Sequence, residues 1–343
     1  MWACSPPPAA TGTTASDGLV FVRIVDGSNE LMRVRLSDGA EQALTDTPER
    51  QETWPYWSSV AKRLVFQVSR GGSGSDLMLW SPEAGETPLV ETPRREERWP
   101  AWSPRRAALV YAFRGGQPAA GLAIADFETG ERRVAARSRP VNFFFRPGFS
   151  PDGSLIVAQR RGPAGTGSHL WLVEAGSRPR PLARDPAWFD MKPCFSRDGE
   201  RVLFSRRASA GGPRDVVSIA RDGSDLRTLA GSAEADDHSA QPSPARDEIA
   251  FVSDRDGQPE IFLAKPDGSH VRKLTRGGLS AFAPRWSPDG DRLVVTATEP
   301  DAPEPRLNDR ANLTDTRVVV LDREGNELLD VPGFMPDWMP PWR

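Results

Sequence analysis

Apolar residues along this chain come in short bursts with a spacing of two, each placed after the same polar phrase. The phrase is clearest at Trp286-Ser-Pro-Asp-Gly-Asp-Arg-Leu-Val-Val295. It recurs from Phe149 and from Phe195, in weaker form from Trp57, Trp102 and Pro242, and truncated at Trp338. The steps between these anchors are 45, 47, 46, 47, 44 and 52 residues, a period that signals a repeat architecture. Six residues beyond the anchor serine stands an aliphatic (Leu64, Leu109, Ile156, Val202, Ile249, Leu293). Two further on comes Phe66, Tyr111, Ala158, Phe204, Phe251 or Val295. A spacing of two puts both on one face of a strand. Between anchor and strand, Ser-Pro-Asp-Gly makes a tight turn: Pro presets φ, Asp folds onto the backbone, and Gly takes positive φ.

Each repeat continues in the same order. A third apolar run follows a polar loop, as at Leu77–Trp80, Leu170–Val173 and Ile261–Leu263, and a weak outer strand such as Val271–Thr275 closes the unit. Pro55, Pro100, Pro147, Pro193, Pro284 and Pro336 stand two residues before their anchors. A proline cannot donate to a ladder, so the strand entering the anchor is expected to be an edge strand facing a central channel. Four short strands per repeat, a to d from the inside out, predict the blade of a β-propeller. A lone blade exposes two apolar faces, and burying one Leu, Val or Phe is worth about 1.5–3 kcal/mol, so neighbouring blades must cover each other until the ring closes.

The chain ends bear on the count. Leu19–Val25, Leu31–Leu36 and Gln42–Thr45 read as strands b, c and d without an a, while Pro336-Asp-Trp338 is an anchor phrase with nothing after it. Joined, they complete one blade and leave no open edge. The expected fold is all-β: a seven-bladed propeller of four-stranded antiparallel blades, closed by N-terminal strands pairing with a C-terminal strand. Residues 18–343 form that one domain and residues 1–17 a flexible tether. The last full repeat carries an insertion from Thr298 to Thr316, rich in Pro, Asp and Asn, expected as a mobile loop rather than a new domain.

Composition alters little. The net charge is −3, from 44 basic and 47 acidic residues, which favours neither nucleic acid nor an anionic membrane as partner. Cys4, between Ala3 and Ser5, resembles the end of a bacterial lipobox and is a lipidation candidate, although only three residues precede it. The long Pro/Thr/Ser spacer behind it suits an exported, anchored protein of the periplasm or outer membrane. Any membrane association is expected through that anchor alone. Cys194 reads as a buried apolar residue, so no disulfide framework is expected.

Pro-x-Trp-Ser-Pro-Asp-Gly, with Ser253-Asp-Arg-Asp-Gly-Gln-Pro-Glu-Ile-Phe262 and Asp267-Gly-Ser-His-Val-Arg-Lys-Leu-Thr275, resembles the TolB-type propeller repeat over residues 18–343. Proteins with that repeat include periplasmic TolB, the propeller domains of prolyl-oligopeptidase-type peptidases and oligogalacturonate lyase. The resemblance implies a fold more than an activity. The chain departs from each: TolB carries an extra N-terminal domain and six blades, the peptidases a Gly-x-Ser-x-Gly elbow absent here, and the lyase a metal held by clustered histidines.

This chain has three histidines, His169, His238 and His270, and propeller topology puts at most the first two on one face. Glu234-Ala-Asp-Asp-His238 is the best metal or acid–base candidate, though such a stretch is more often a solvated loop; no metal site, cofactor or catalytic residue is expected. A stronger pattern lies ten to twelve residues past the anchor serine, where Arg70, Arg114, Arg160 with Arg161, Arg206 with Arg207, and Arg255 follow strand b in five repeats. All should emerge on one face, with Asp236, Asp237, Glu299, Asp301 and Glu304 forming an acidic sector opposite. The d–a loops on that face are aromatic, at Trp54, Tyr56, Trp99, Phe143–Phe145, Trp188, Phe189 and Phe282. Arginine beside aromatic residues is the composition of interaction hot spots, and guanidinium grips carboxylates in bidentate fashion. The same arginines could instead merely solvate strand ends. The function expected is a non-catalytic, monomeric protein-binding scaffold whose partner carries an acidic patch. The alternative is a polysaccharide lyase or hydrolase acting at the channel mouth.

Overall fold

The computed structural model describes residues 17–340, apart from 70–73, 91–94, 163–166, 175, 277, 301, 303 and 306–310. Its strands, in chain order, are β1 (Gly18–Val25), β2 (Ser28–Arg35) and β3 (Glu41–Ala43); β4 (Gln51–Ser58), β5 (Arg63–Ser69), β6 (Asp76–Ser81) and β7 (Gly85–Val90); β8 (Glu96–Trp102), β9 (Ala108–Arg114), β10 (Ala120–Asp126) and β11 (Arg132–Ser138); β12 (Phe144–Phe149), β13 (Leu155–Arg161), β14 (Ser168–Glu174) and β15 (Arg180–Ala183). Then come β16 (Trp188–Phe195), β17 (Arg201–Ala208), β18 (Asp215–Ala220) and β19 (Arg227–Ala230); β20 (His238–Pro242), β21 (Ile249–Ser253), β22 (Glu260–Ala264) and β23 (Arg272–Lys273); β24 (Ser280–Trp286), β25 (Arg292–Thr298), β26 (Arg317–Asp322) and β27 (Glu327–Pro332); and β28 (Phe334–Met339). One short helix, α1 (Ala311–Thr314), lies between β25 and β26.

Among the described residues these strands fall into seven four-stranded antiparallel units. Five are separate sheets. The first two units share one sheet through a single parallel bridge, Asn29 to Gln51. The first unit joins the chain ends: β28 is its inner strand, paired with β1 so that Leu19 faces Trp338 and Val20 faces Asp337. The core lies between the units, where Phe21, Phe66, Phe149, Phe195, Phe204 and Phe251 are fully buried.

The anchor phrase does two jobs. In its turn, Ser150 Oγ donates to Asp152 Oδ1 at 2.6 Å and accepts from the Leu155 amide at 2.9 Å. Gly153 sits at φ 75°, where an L side chain would be strained. The same bonds recur around Ser196 and Ser287. The anchor ring fastens one blade to the blade before it. The indole Nε1 of Trp102 donates to the Tyr56 carbonyl at 2.8 Å, that of Trp286 to Gln241 at 3.0 Å, and that of Trp338 to Arg285 at 3.0 Å. Cys194, one residue before its anchor, is buried, and its thiol reaches the other way, to the Ala240 carbonyl of the following unit at 3.3 Å.

The recurrent proline has a more local cause than an open edge. In every unit the inner strand carries a β-bulge at the residue three before the anchor: Trp54, Trp99, Arg146, Lys192, Ser239, Ala283 and Met335. All seven have φ between 49° and 58°. The following residue, proline in six of the seven, is the extra one of the bulge and has no ladder partner to lose. Across from each bulge stands the strand-b residue Phe21, Phe66, Tyr111, Ala158, Phe204, Phe251 or Val295, four of them fully buried phenylalanines. A bulge re-aims side chains, and here it does so at the same height in every inner strand.

Candidate functional site

Strand b ends on the face formed by the b–c and d–a loops, and there the structure sorts the repeated arginines into two kinds. Arg206 and Arg255 are struts. The Arg206 guanidinium is buried and grips Asp190 in bidentate fashion, Nε to Oδ1 at 2.7 Å and Nη2 to Oδ2 at 3.1 Å. Arg255 Nη2 binds both oxygens of Asp237 at 3.0 and 3.2 Å and lies over Phe262. Asp190 and Asp237 both stand five residues before their anchors and are wholly buried, as are Glu52 and Glu97 at the same position. Arg160 is clamped between Trp171, 4.4 Å from the ring centroid, and Phe144, with Nε donating to the Asn142 carbonyl.

The other kind is presented outward. Arg114 is exposed and lies over Phe143 at 5.5 Å, Arg161 is exposed, and half-buried Arg207 lies over Phe189. Arg70 and Cys4 fall outside the described residues. Around Arg114 a shallow cleft of about 40 Å³ runs between the third and fourth units, lined by Glu96, Arg98, Trp99, Phe113, Phe143 and Phe144. Beside it three half-buried rings form a ladder: Trp99 to Phe145 at 5.7 Å, and Phe145 to Phe143 at 5.8 Å. Val141 next to them is 70% exposed.

The expected acidic sector is not set apart from the basic arc. Asp237 is spent on Arg255. Asp236 holds Arg214 in a bidentate pair, at 2.8 and 2.5 Å, and that hydrogen bonding keeps its carboxyl below the usual range despite burial. Glu304, from the insertion after β25, reaches the ring interior: its carboxylate meets Lys192 Nζ at 2.8 Å and Arg214 at 3.7 Å. The insertion is therefore more than the mobile loop its composition suggested. Pro305 and Leu313 are buried with it, and α1 lies within it.

Contacts that skip a blade show which side chains converge on the axis. Lys192 of the fifth unit meets Glu304 from the seventh, and Arg285 of the seventh lies 4.6 Å over Tyr56 of the second. Arg285 also pairs with Asp337 at 3.3 Å. Lys192 Nζ donates to Ser239 Oγ at 2.7 Å. His238, next to it, shares a 2.8 Å hydrogen bond between Nδ1 and that hydroxyl. Burial, then Lys192 and Arg214, press the His238 imidazole well below its ordinary pKa, so it is neutral at pH 7. His169 is buried near Asp190 rather than beside His238, and His270 stands on the surface against Ser269. Among the described residues no three His, Cys, Asp or Glu side chains gather as ligands for one metal ion.

Sequence reasoning missed the bulge itself and, Asp237 apart, the buried acids five places before the anchors. The acids carried a usable signal, a carboxylate at one offset in four repeats. The bulge residues did not, since Trp, Arg, Lys, Ser, Ala and Met share no chemistry.

Seven four-stranded antiparallel units, each leaning on the next and fastened where the chain ends pair, define a β-propeller. Residues 189–327 match the family model described as TolB beta propeller domain. The chain is a β-propeller similar to those of the TolB type. The Tol-Pal system protein TolB of Desulfosudis oleivorans is 32% identical over 92 residues, which is 27% of this chain and 19% of that protein. The chain covers between 9% and 32% of the length of the curated relatives it matches. Among solved structures, a putative TolB from Agrobacterium tumefaciens superposes with a TM-score of 0.55 at 21% identity, covering 94% of this chain and 91% of that one. Oligogalacturonate lyase from Vibrio parahaemolyticus superposes with a TM-score of 0.61 at 14% identity, covering 86% and 87%. At such identities the likeness establishes a shared fold.

Proposed function

We propose that this propeller is a non-catalytic protein-binding scaffold of the bacterial cell envelope, working in the periplasm, and that its partner docks on the b–c/d–a face over the third and fourth units. The observation that carries this reading is the ladder Trp99–Phe145–Phe143, half-buried and flanked by exposed Arg114 and Val141. Rigid aromatic rings supply contact area at little entropic cost, and an arginine held over a ring is ready to meet a carboxylate on an acidic partner. Arg161 of the fourth unit and Arg207 of the fifth extend the basic rim in one direction around the ring. Arg206 and Arg255 contribute by holding their blades rather than by touching the partner. The similarity to a Tol-Pal system protein supports the envelope setting. An anchor at Cys4 would tether the propeller to a membrane.

The test is comparative capture from an envelope extract. Intact protein should retain a defined partner, and Phe143→Ala with Arg114→Glu should lose it while melting at an unchanged temperature. Losing a hot-spot pair of this kind costs about 2 kcal/mol or more, roughly a thirtyfold loss of affinity. Equal capture by both forms would refute the assignment. Turnover of an oligosaccharide or peptide by the intact protein would favour the lyase or hydrolase reading.

A further inference from the structure

The seven bulge residues form a ring around the axis, and its two halves differ. Met335, Trp54 and Ala283 are apolar and buried; Arg146 and Lys192, in adjacent units, are cationic and no more than 8% exposed. The cationic half is out of balance. Arg214 and Lys192 have Asp236 and Glu304. Arg146 has no ion pair or hydrogen bond to a described residue, and its buried Nε is without a partner. Among the described residues, three cations thus meet two carboxylates, and of the cations Arg146 and Lys192 are almost fully buried. Burial presses the Arg146 guanidinium down to about 10, with Glu304 opposing, which still leaves it charged at pH 7. A buried, unpaired charge costs several kcal/mol and is retained where something supplies the counter-charge.

We propose that the axial ring is a binding site for a carboxylate carried on an apolar group, with Arg146 as its fork and Trp54 and Met335 as its apolar wall. Glu304 shows the chemistry the site accepts, since the protein already seats one carboxylate on Lys192 there, and a guanidinium offers a second carboxylate two parallel donors. The incoming carboxylate pairs with Arg146, the charge that Glu304 leaves over. Such a group could come from a free organic acid or from an acidic side chain of a docked protein. The site is separate from the aromatic ladder and does not depend on its role.

The experiment is calorimetric titration of the full chain with 3-phenylpropionate, with its neutral amide, and with the peptide acetyl-Phe-Glu-Phe-amide. The acid or the peptide should bind saturably and the amide should not; whichever acid form binds more tightly identifies the source. Arg146→Gln should weaken binding at least tenfold and, by removing an unpaired buried charge, raise the melting temperature of the ligand-free protein. Glu304→Gln should tighten binding by freeing Lys192. Absence of saturable binding by both acids, equal binding of the amide, or unchanged affinity in Arg146→Gln would overturn the proposal. Should Arg146→Gln not fold, Glu304→Gln decides: affinity no higher than that of the intact protein overturns it.

Discussion

Replacing Asp190 by Asn asks whether Arg206 is a strut or a docking residue. Asn keeps the shape but removes the charge opposite a guanidinium that is 8% exposed, held by two hydrogen bonds at 2.7 and 3.1 Å. Removing one partner of a buried pair costs about 3–5 kcal/mol, because the other charge is left without compensation. At about 2.1 cal/mol/K of unfolding entropy per residue, a chain of 343 residues should lose roughly 4–7 °C in melting temperature. The main-chain carbonyl of Asp190, which accepts from Ser168 Oγ at 2.7 Å and Gln159 Nε2 at 3.1 Å, is untouched, so the loss reports on the ion pair. Calorimetry on Asp190→Leu, Arg206→Met and Asp190→Leu/Arg206→Met makes the cycle, with Asp190→Asn as the variant that keeps the shape. The double variant, with apolar groups facing each other, should recover most of the stability. If Asp190→Asn melts within a degree of the intact protein, or if Arg206→Met abolishes partner capture without lowering the melting temperature, the strut assignment is wrong.

Two further outcomes follow from the same geometry. Burial, only partly offset by the Thr47 hydroxyl and reinforced by Glu30 and Glu86, pushes the Glu52 carboxyl up to about 7. Its folded pKa lies above the unfolded value, so the stability it contributes is complete below about pH 4 and is lost as pH rises towards 7. Glu52→Gln should remove that slope and stabilise the protein at pH 8 by up to about 3 kcal/mol, read from denaturant unfolding at pH 5 and pH 8. Trp102→Phe keeps the ring but leaves the buried Tyr56 carbonyl without its 2.8 Å donor, and should cost about 1–3 kcal/mol. The same substitution at Trp57 should cost less, since its Nε1 makes no hydrogen bond in the structure.

The parts of this fold that were legible are those written more than once. The Ser-Pro-Asp-Gly turn, the strand-b aliphatics and the aromatic anchors recur at one spacing, so the blades and the pairing of Leu19 with Trp338 could be read directly. Proline before the anchor was visible, but its cause was not. Whether a missing donor is excused by an open edge or by a bulge depends on the register of the neighbouring strand. The site was legible in composition and not in arrangement. The arginines were read as one set, yet Arg206 stands ten residues past its anchor serine and Arg114 eleven, and one step along a strand turns a side chain to the other side. Arg206 therefore turns inward to Asp190, whereas Arg114 leans outward over Phe143. Glu304 and Lys192 are 112 residues apart and meet only because a ring brings them together, a contact with no local trace in the sequence.

The closed ring is the claim on which both proposed sites depend, and deleting residues 333–343 tests it. This removes β28, whose Phe334, Met335, Trp338 and Met339 are buried. At about 1.5–3 kcal/mol for each side chain, roughly 6–12 kcal/mol is lost, comparable to the whole stability of an ordinary domain. The expected result is a chain without a cooperative thermal transition under conditions where the intact protein melts sharply. A deletion variant that melts like the intact protein would contradict the account.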